Sequence, residues 1–206
     1  MIDIVLCGDS YYDFDDRYPG LHWADQLDPY NVYRLAKGGS TNFLIWHQIQ
    51  HVKHFEPDLV LISFTSSNRI EFPNNKYKQF DLSAAETNID KQWMYRNTMY
   101  ENVKTANPGY NKDTYINWMP YQIEEFEELK DSIYIKDSLD FLTKNNIPYL
   151  FNLGGYAGKI DLTEYDEYNI LPNGWNHPDK LSDPWFHIRD TKWHQQHAEF
   201  IINHVG

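Results

Sequence analysis

Cysteine is almost missing from this chain. The one copy, Cys7, cannot form a disulfide within the chain, so nothing in the cysteine count points to an oxidising compartment. Cys7 stands inside an apolar run and is expected to be a small buried hydrophobe. No apolar stretch is long enough to span a membrane, and no basic start followed by an apolar core marks a leader. The chain therefore reads as cytoplasmic and membrane-free. Positive charge is also scarce. Eighteen Lys and Arg face thirty Asp and Glu, a formal net charge of -12. Such a surface repels nucleic acid and anionic lipid, so neither is an expected partner. Repeats and low-complexity tracts are absent, which excludes solenoids and disordered tails.

What the chain has in abundance is aromatic. Aromatics are 17% of 206 residues, with sixteen tyrosines and seven tryptophans. Many fall between 72 and 120, where periodicity weakens. That stretch reads as an insertion over the active-site edge of a single domain 1–206, with short helices around Ala84 to Tyr100. Trp93, Tyr95, Tyr110 and Trp118 there are candidates for lid, core or a stacking platform for a sugar.

The remainder alternates. Ile2 to Cys7 is a strand, followed by a loop. Leu21, Trp23, Ala24 and Leu27 have helical spacing, stopped by Asp28-Pro29. A short strand covers Asn31 to Leu35. A helix follows with Ile45, Ile49 and Val52 on one face. Asp58 to Phe64 is an unbroken apolar strand, as suits a central parallel position. A helix runs from Tyr121 to about Lys144, with Phe126, Leu129 and Ile133 as its apolar face. Ile147 to Leu153 is a further strand, and a terminal helix carries Trp193, His197, Phe200 and Ile201. This order predicts an α/β fold, a parallel central sheet in three layers with flavodoxin-like winding.

Four polar clusters follow strands or precede the last helix: Gly8-Asp9-Ser10, Gly38 to Asn42, Ser66 to Arg69, and Asp183 to His187. In a parallel sheet all strand ends share one edge, so these clusters can meet. Together they hold the parts for acyl transfer. Ser10 is the nucleophile, a histidine its base, and an aspartate the partner of that base. The amides of Ser10 and Gly39, with an asparagine side chain, can bind an oxyanion. Two pairs of equal spacing compete for the base, Asp183 with His187 and Asp190 with His194. Asp190 is well placed as the N-cap of the terminal helix, and His194 lies a turn inside it. His187 lies in the preceding loop and can be aimed, so it is the preferred base. A different use of the same region is a metal site from His187, His194 and His197, since His194 and His197 are three apart on a helix.

The ordered set of Gly8-Asp9-Ser10 after a strand, Gly39 after the second strand, an Asn-containing block after the third and a late Asp-to-His pair resembles the SGNH (GDSL-type) hydrolases. The resemblance implies a flavodoxin-like fold and a carboxylic ester hydrolase with Ser10, Asp183 and His187 as triad. It implies Ser10, Gly39 and Asn68 as the oxyanion hole, and no cofactor or metal. Acetyl or acyl esters of carbohydrates are among the substrates it implies. The third block departs from the family's Gly-x-Asn-Asp: Ser67 takes the usual Asn place and Asn68 the Asp place, so either can complete the hole. The last block is one residue longer than the family's. An SGNH-like module that binds glycans without turnover is the alternative.

Overall fold

In the computed structural model, residues 2–14, 19–37, 40–65, 69–73, 93–97, 124–153, 165, 167–171 and 191–205 are described. Four strands form one all-parallel sheet: β1 (Asp3–Gly8), β2 (Asn31–Arg34), β3 (Leu59–Ser63) and β6 (Tyr149–Asn152). Their order is β2-β1-β3-β6. The register pairs Leu6 with Arg34, Gly8 with Ser63, and Ser63 with Asn152. The chain is thus an α/β protein with the doubly wound strand order expected. Every β-strand of this sheet ends on the same edge, where β1, the second strand in the order, delivers Gly8-Asp9-Ser10.

The two faces follow from the two-residue period of a strand. Val5 and Cys7 of β1, with Val60, Ile62 and Phe64, point to one face. There they meet Ile45 and Ile49 of α1 (Asn42–His51) and Ile135, Leu139 and Leu142 of α2 (Glu124–Lys144). Ile4 and Leu6, with Leu59 and Leu61, point the other way. They meet Trp23, Ala24 and Leu27 and, from α3 (Thr191–Val205), Ala198 and Ile201. The result is three layers. Cys7 is fully buried, and burial pushes its thiol well above the usual range, so it behaves as the hydrophobe expected.

Three expectations need correction. The segment around Trp23 is a single 3-10 turn, Trp23–Gln26, and not an α-helix. The turn is capped by His22, whose Nδ1 accepts the Ala24 N–H at 3.2 Å. Within 72–120, Trp93–Asn97 is a strand, β5, where a helix was expected; it pairs antiparallel with β4 (Arg69–Pro73) in a separate two-stranded sheet. The sequence Trp-Met-Tyr-Arg-Asn is rich in large residues that favour strands. The rest of 74–120, and the side chains of Trp93, Tyr95, Tyr110 and Trp118, lie outside the described residues, and with them the expected insertion.

The third correction concerns α2. Phe126, Leu129 and Ile133 are exposed, at 60%, 59% and 58%. The face turned inward carries Ile135, Leu139 and Leu142 together with Asp131 and Ser138. Ile133 and Ile135 are about 200° apart around a helix, so the two stripes lie on opposite sides. The rotation of α2 is fixed partly by polar contacts, one at the buried Asp131 and one at the exposed Asp137. Asn42 donates to Asp131 at 2.8 Å, and Trp46 of α1 donates to Asp137 at 2.6 Å. These bonds set the rotation of α2 against α1. Leu129→Gln is therefore expected to change stability by less than about 0.5 kcal/mol, whereas Leu139→Ala costs about 2–5 kcal/mol. Urea unfolding of the two variants checks this; a large loss at Leu129 would show that the exposed stripe is buried in solution. Among the described residues, no helix is long and apolar enough to cross a membrane.

Candidate active site

The site begins where β1 runs out. Gly8 has a φ of 157°, and a Cβ there would stand 3.0 Å from the Ser63 carbonyl oxygen and 3.2 Å from the Ser63 Cβ. Only glycine lets β1 and β3 stay this close at their ends. Asp9 then closes a helical turn. Its carbonyl accepts the N–H groups of Tyr12 and Asp13, both at 3.1 Å. Its Oδ1 accepts the Tyr11 N–H at 3.1 Å, so the side chain caps the turn it begins. Ser10 is the first residue inside that turn.

The turn is fastened on every side. Gly8 donates its N–H to Gln48 Oε1 at 2.7 Å, and Gln48 Nε2 donates back to the Gly8 carbonyl at 3.2 Å. The buried Asp9 carboxylate accepts the Thr65 hydroxyl from the end of β3, at 3.2 Å. The Tyr11 carbonyl accepts both His22 Nε2–H at 2.8 Å and Trp23 Nε1–H at 3.1 Å. The Tyr12 hydroxyl accepts Asn152 Nδ2–H at 3.1 Å, from the end of β6. Burial, with the Asp9 carboxylate nearby, raises the Tyr12 phenol above its usual range, which keeps it neutral.

Ser10 is the exception in this run. It is partly exposed, and among the described residues neither its amide nor its hydroxyl takes a hydrogen bond. The first amides of a helical turn have no partner within the turn. Here the neighbouring residues are held by the scaffold.

A polar layer lies beneath, built by three amide side chains. Asn42 accepts the Thr65 N–H at 2.9 Å and donates to the Thr65 carbonyl at 2.7 Å. Asn152 accepts the Ser63 hydroxyl at 3.0 Å. Gln48 does the same service at Gly8. Beyond the last ladder bond a strand end keeps unpaired N–H and C=O groups, which cost about 1–3 kcal/mol if buried without partners. These amides take the place of the missing strand. Asn42 ends the polar cluster read from the sequence as 38 to 42, but the sequence does not assign it this role, and Gln48 and Asn152 are not singled out there. The signal was present in α1, where Asn42 and Gln48 interrupt the stripe of Ile45, Ile49 and Val52 with polar residues on the buried side.

Of the expected site residues, only Ser10 lies among the described residues. Asp183 and His187, Gly39 and Asn68, and the competitors Ser67 and Asp190 lie outside them. The competing histidine, His194, is described. Its Nδ1 accepts the Trp23 N–H at 3.1 Å. In a triad the Nδ1 of the base donates to a carboxylate while Nε2 accepts from serine. An Nδ1 that accepts a backbone N–H holds the opposite tautomer in the neutral ring. His194 is thus engaged in docking α3 onto the 3-10 turn. His197 packs edge-on against Trp23, with ring centroids 4.6 Å apart. Among the described residues no group of three or more His, Cys, Asp or Glu is arranged to hold a metal ion.

No protein-family model matches the chain, and no curated protein matches it in sequence. A solved structure from Desulfitobacterium hafniense DCB-2, provisionally described as a lipolytic protein of the G-D-S-L family, is similar over 98% of this chain and 99% of its own, at 12% identity and a TM-score of 0.37.

Proposed function

We propose that this chain is a serine hydrolase of the SGNH type that cleaves carboxylic esters, with acetyl or acyl esters of carbohydrates as the substrate class. The observation that carries the reading is the turn after β1. Gly8, Asp9, Tyr11 and Tyr12 are all hydrogen-bonded into the scaffold, while Ser10 between them keeps its hydroxyl and amide uncommitted. A turn built for stability alone has no reason to leave its central serine out.

In this reading Ser10 Oγ attacks the ester carbonyl carbon and passes its proton to His187. Asp183 orients that imidazole and stabilises its cation. The Ser10 amide, with the Gly39 amide and the Asn68 side chain, donates to the oxyanion. Each such donor lowers the barrier by about 3 kcal/mol. His187 then gives the proton to the departing alkoxide, leaving an acyl group on Ser10. Water, deprotonated by His187, releases the acid and restores the serine. The mechanism uses no metal or cofactor.

Incubation with a serine-reactive phosphonate tests the reading. The expected result is a single adduct on Ser10, found by peptide mass spectrometry, together with loss of esterase activity. An unlabelled, folded protein would instead favour an SGNH-like module that binds without turnover.

A further inference from the structure

We infer that Gln48 is a positioning residue for the Ser10 nucleophile, a role that rests on the esterase reading above. β2 pairs with β1 only as far as Leu6, whose carbonyl accepts the N–H groups of Leu35 and Ala36, both at 2.9 Å. Gly8 lies two residues further on, beyond β2 itself, where its carbonyl accepts the Lys37 N–H at 3.1 Å from the chain that continues β2. Its N–H is left to α1, and its carbonyl is shared between Lys37 and α1. Gln48 reaches across from α1 and closes a ring of two hydrogen bonds with them, as a neighbouring strand would. Its second Nε2 hydrogen goes to Ser40 Oγ at 3.2 Å. The carboxamide is 4% exposed and all three bonds are internal. Gly8 cannot be held by a side chain of its own, because a Cβ would meet Ser63 at 3.0 Å. The residue with the greatest backbone freedom is therefore the root of the nucleophile turn, and Gln48, which alone holds the Gly8 N–H and shares the Gly8 carbonyl with Lys37, restricts that freedom. None of its hydrogen bonds reaches Ser10, so it acts through the backbone. Through Ser40 it also ties the nucleophile turn to the loop after β2.

A displacement of about 1 Å at a reacting atom can lower a rate about a hundredfold. Steady-state kinetics on a short nitrophenyl ester, with Gln48→Leu and Gln48→Glu beside the unmodified chain, test the role. Gln48→Leu is expected to lower kcat about tenfold or more and leave KM within about twofold. Gln48→Glu adds a readout that loss of packing alone would not move. A protonated carboxyl reproduces the amide pattern, its C=O accepting the Gly8 N–H and its O–H donating to the Gly8 carbonyl. A carboxylate cannot donate. The rate of Gln48→Glu relative to the unmodified chain is therefore expected to rise as pH is lowered from 8 to 6. A folded Gln48→Leu with unchanged kcat overturns the inference and leaves the esterase reading standing. If Gln48→Leu does not fold, the relative rate of Gln48→Glu decides, and a ratio flat with pH overturns the inference. If the unmodified chain neither hydrolyses the ester nor takes a phosphonate on Ser10, the esterase reading falls and this one with it.

Discussion

Ser10→Ala is expected to abolish hydrolysis of a short nitrophenyl ester, by at least about a thousandfold, with the fold intact. The size follows from chemistry. Without the hydroxyl there is no acyl-enzyme, and the residual rate is what positioning and oxyanion donors give to water attack. The intact fold follows from the hydrogen bonds. The Ser10 hydroxyl takes no bond among the described residues, so deleting it strands no buried partner. The bonds that hold the turn come from Gln48, Thr65, His22, Trp23 and Asn152, and none of them ends on Ser10. Matched thermal unfolding and hydrolysis on the same preparation give both halves. A variant that keeps its melting temperature and its full activity would end the serine-hydrolase reading. A variant that unfolds would show that the serine is structural.

The strands that carry this site are easy to read in the sequence, because β1 and β3 are buried on both faces. Val5 and Cys7 point one way and Ile4 and Leu6 the other, so the run is apolar without interruption. Parallel topology then gathers the strand ends on one edge, which is why Gly8-Asp9-Ser10 can be assigned to that edge from the sequence. The periodicity of α2 was ambiguous for a physical reason. A helix of 21 residues carried two apolar stripes of similar spacing, Phe126-Leu129-Ile133 and Ile135-Leu139-Leu142. Hydropathy ranks them alike. The choice between them is made by Asn42 against Asp131 and by Trp46 against Asp137, contacts between residues 89 and 91 positions apart. The amide layer was hidden for a related reason. Gln48 and Asn42 look like poor core residues until the strand ends they complete are known. The turn at Trp23 also defeated spacing alone, since Trp23, Ala24 and Leu27 are buried by a 3-10 turn as readily as by an α-helix.

The same 3-10 turn predicts an acid sensitivity. His22, His194 and His197 are buried together where that turn meets α3, with the His22 and His194 rings 5.3 Å apart. Burial lowers His22 from 6.5 to about 4. The hydrogen bond to the Tyr11 carbonyl works against this, His194 and Arg34 reinforce it, and Asp25 partly offsets it. Burial likewise lowers His197 to about 3, with His22 and His194 adding to the effect. Both folded-state values lie below the ordinary 6.5, so below that pH the unfolded chain binds more protons than the folded one. Stability is then complete above pH 6.5 and is lost as pH falls through it toward about 4 for His22 and 3 for His197. At pH 5 each lowered value corresponds to a loss on the order of 2 kcal/mol relative to pH 7.5, and because the two rings act on each other the losses do not simply add. That is a large share of the stability of an ordinary domain. His47, on the other face of the sheet, is lowered to about 4 by burial and by His51, and adds to the same trend. A substitution isolates the cluster. His197→Phe keeps a ring against Trp23 and removes the proton, so its loss of stability between pH 6.5 and 5 should be smaller by about 2 kcal/mol. Urea unfolding at pH 7.5, 6.5, 5.5 and 5 supplies both slopes. The two curves would coincide if His197 were already charged in the folded protein, and the assignment would then be wrong. His22 holds the Tyr11 carbonyl beside Ser10, and its Nδ1 accepts the Ala24 N–H only while it is neutral. Protonation removes that cap and sets like charges against each other under α3, while the Nε2–H bond to the Tyr11 carbonyl survives it, so acid loosens the 3-10 turn and its contact with α3.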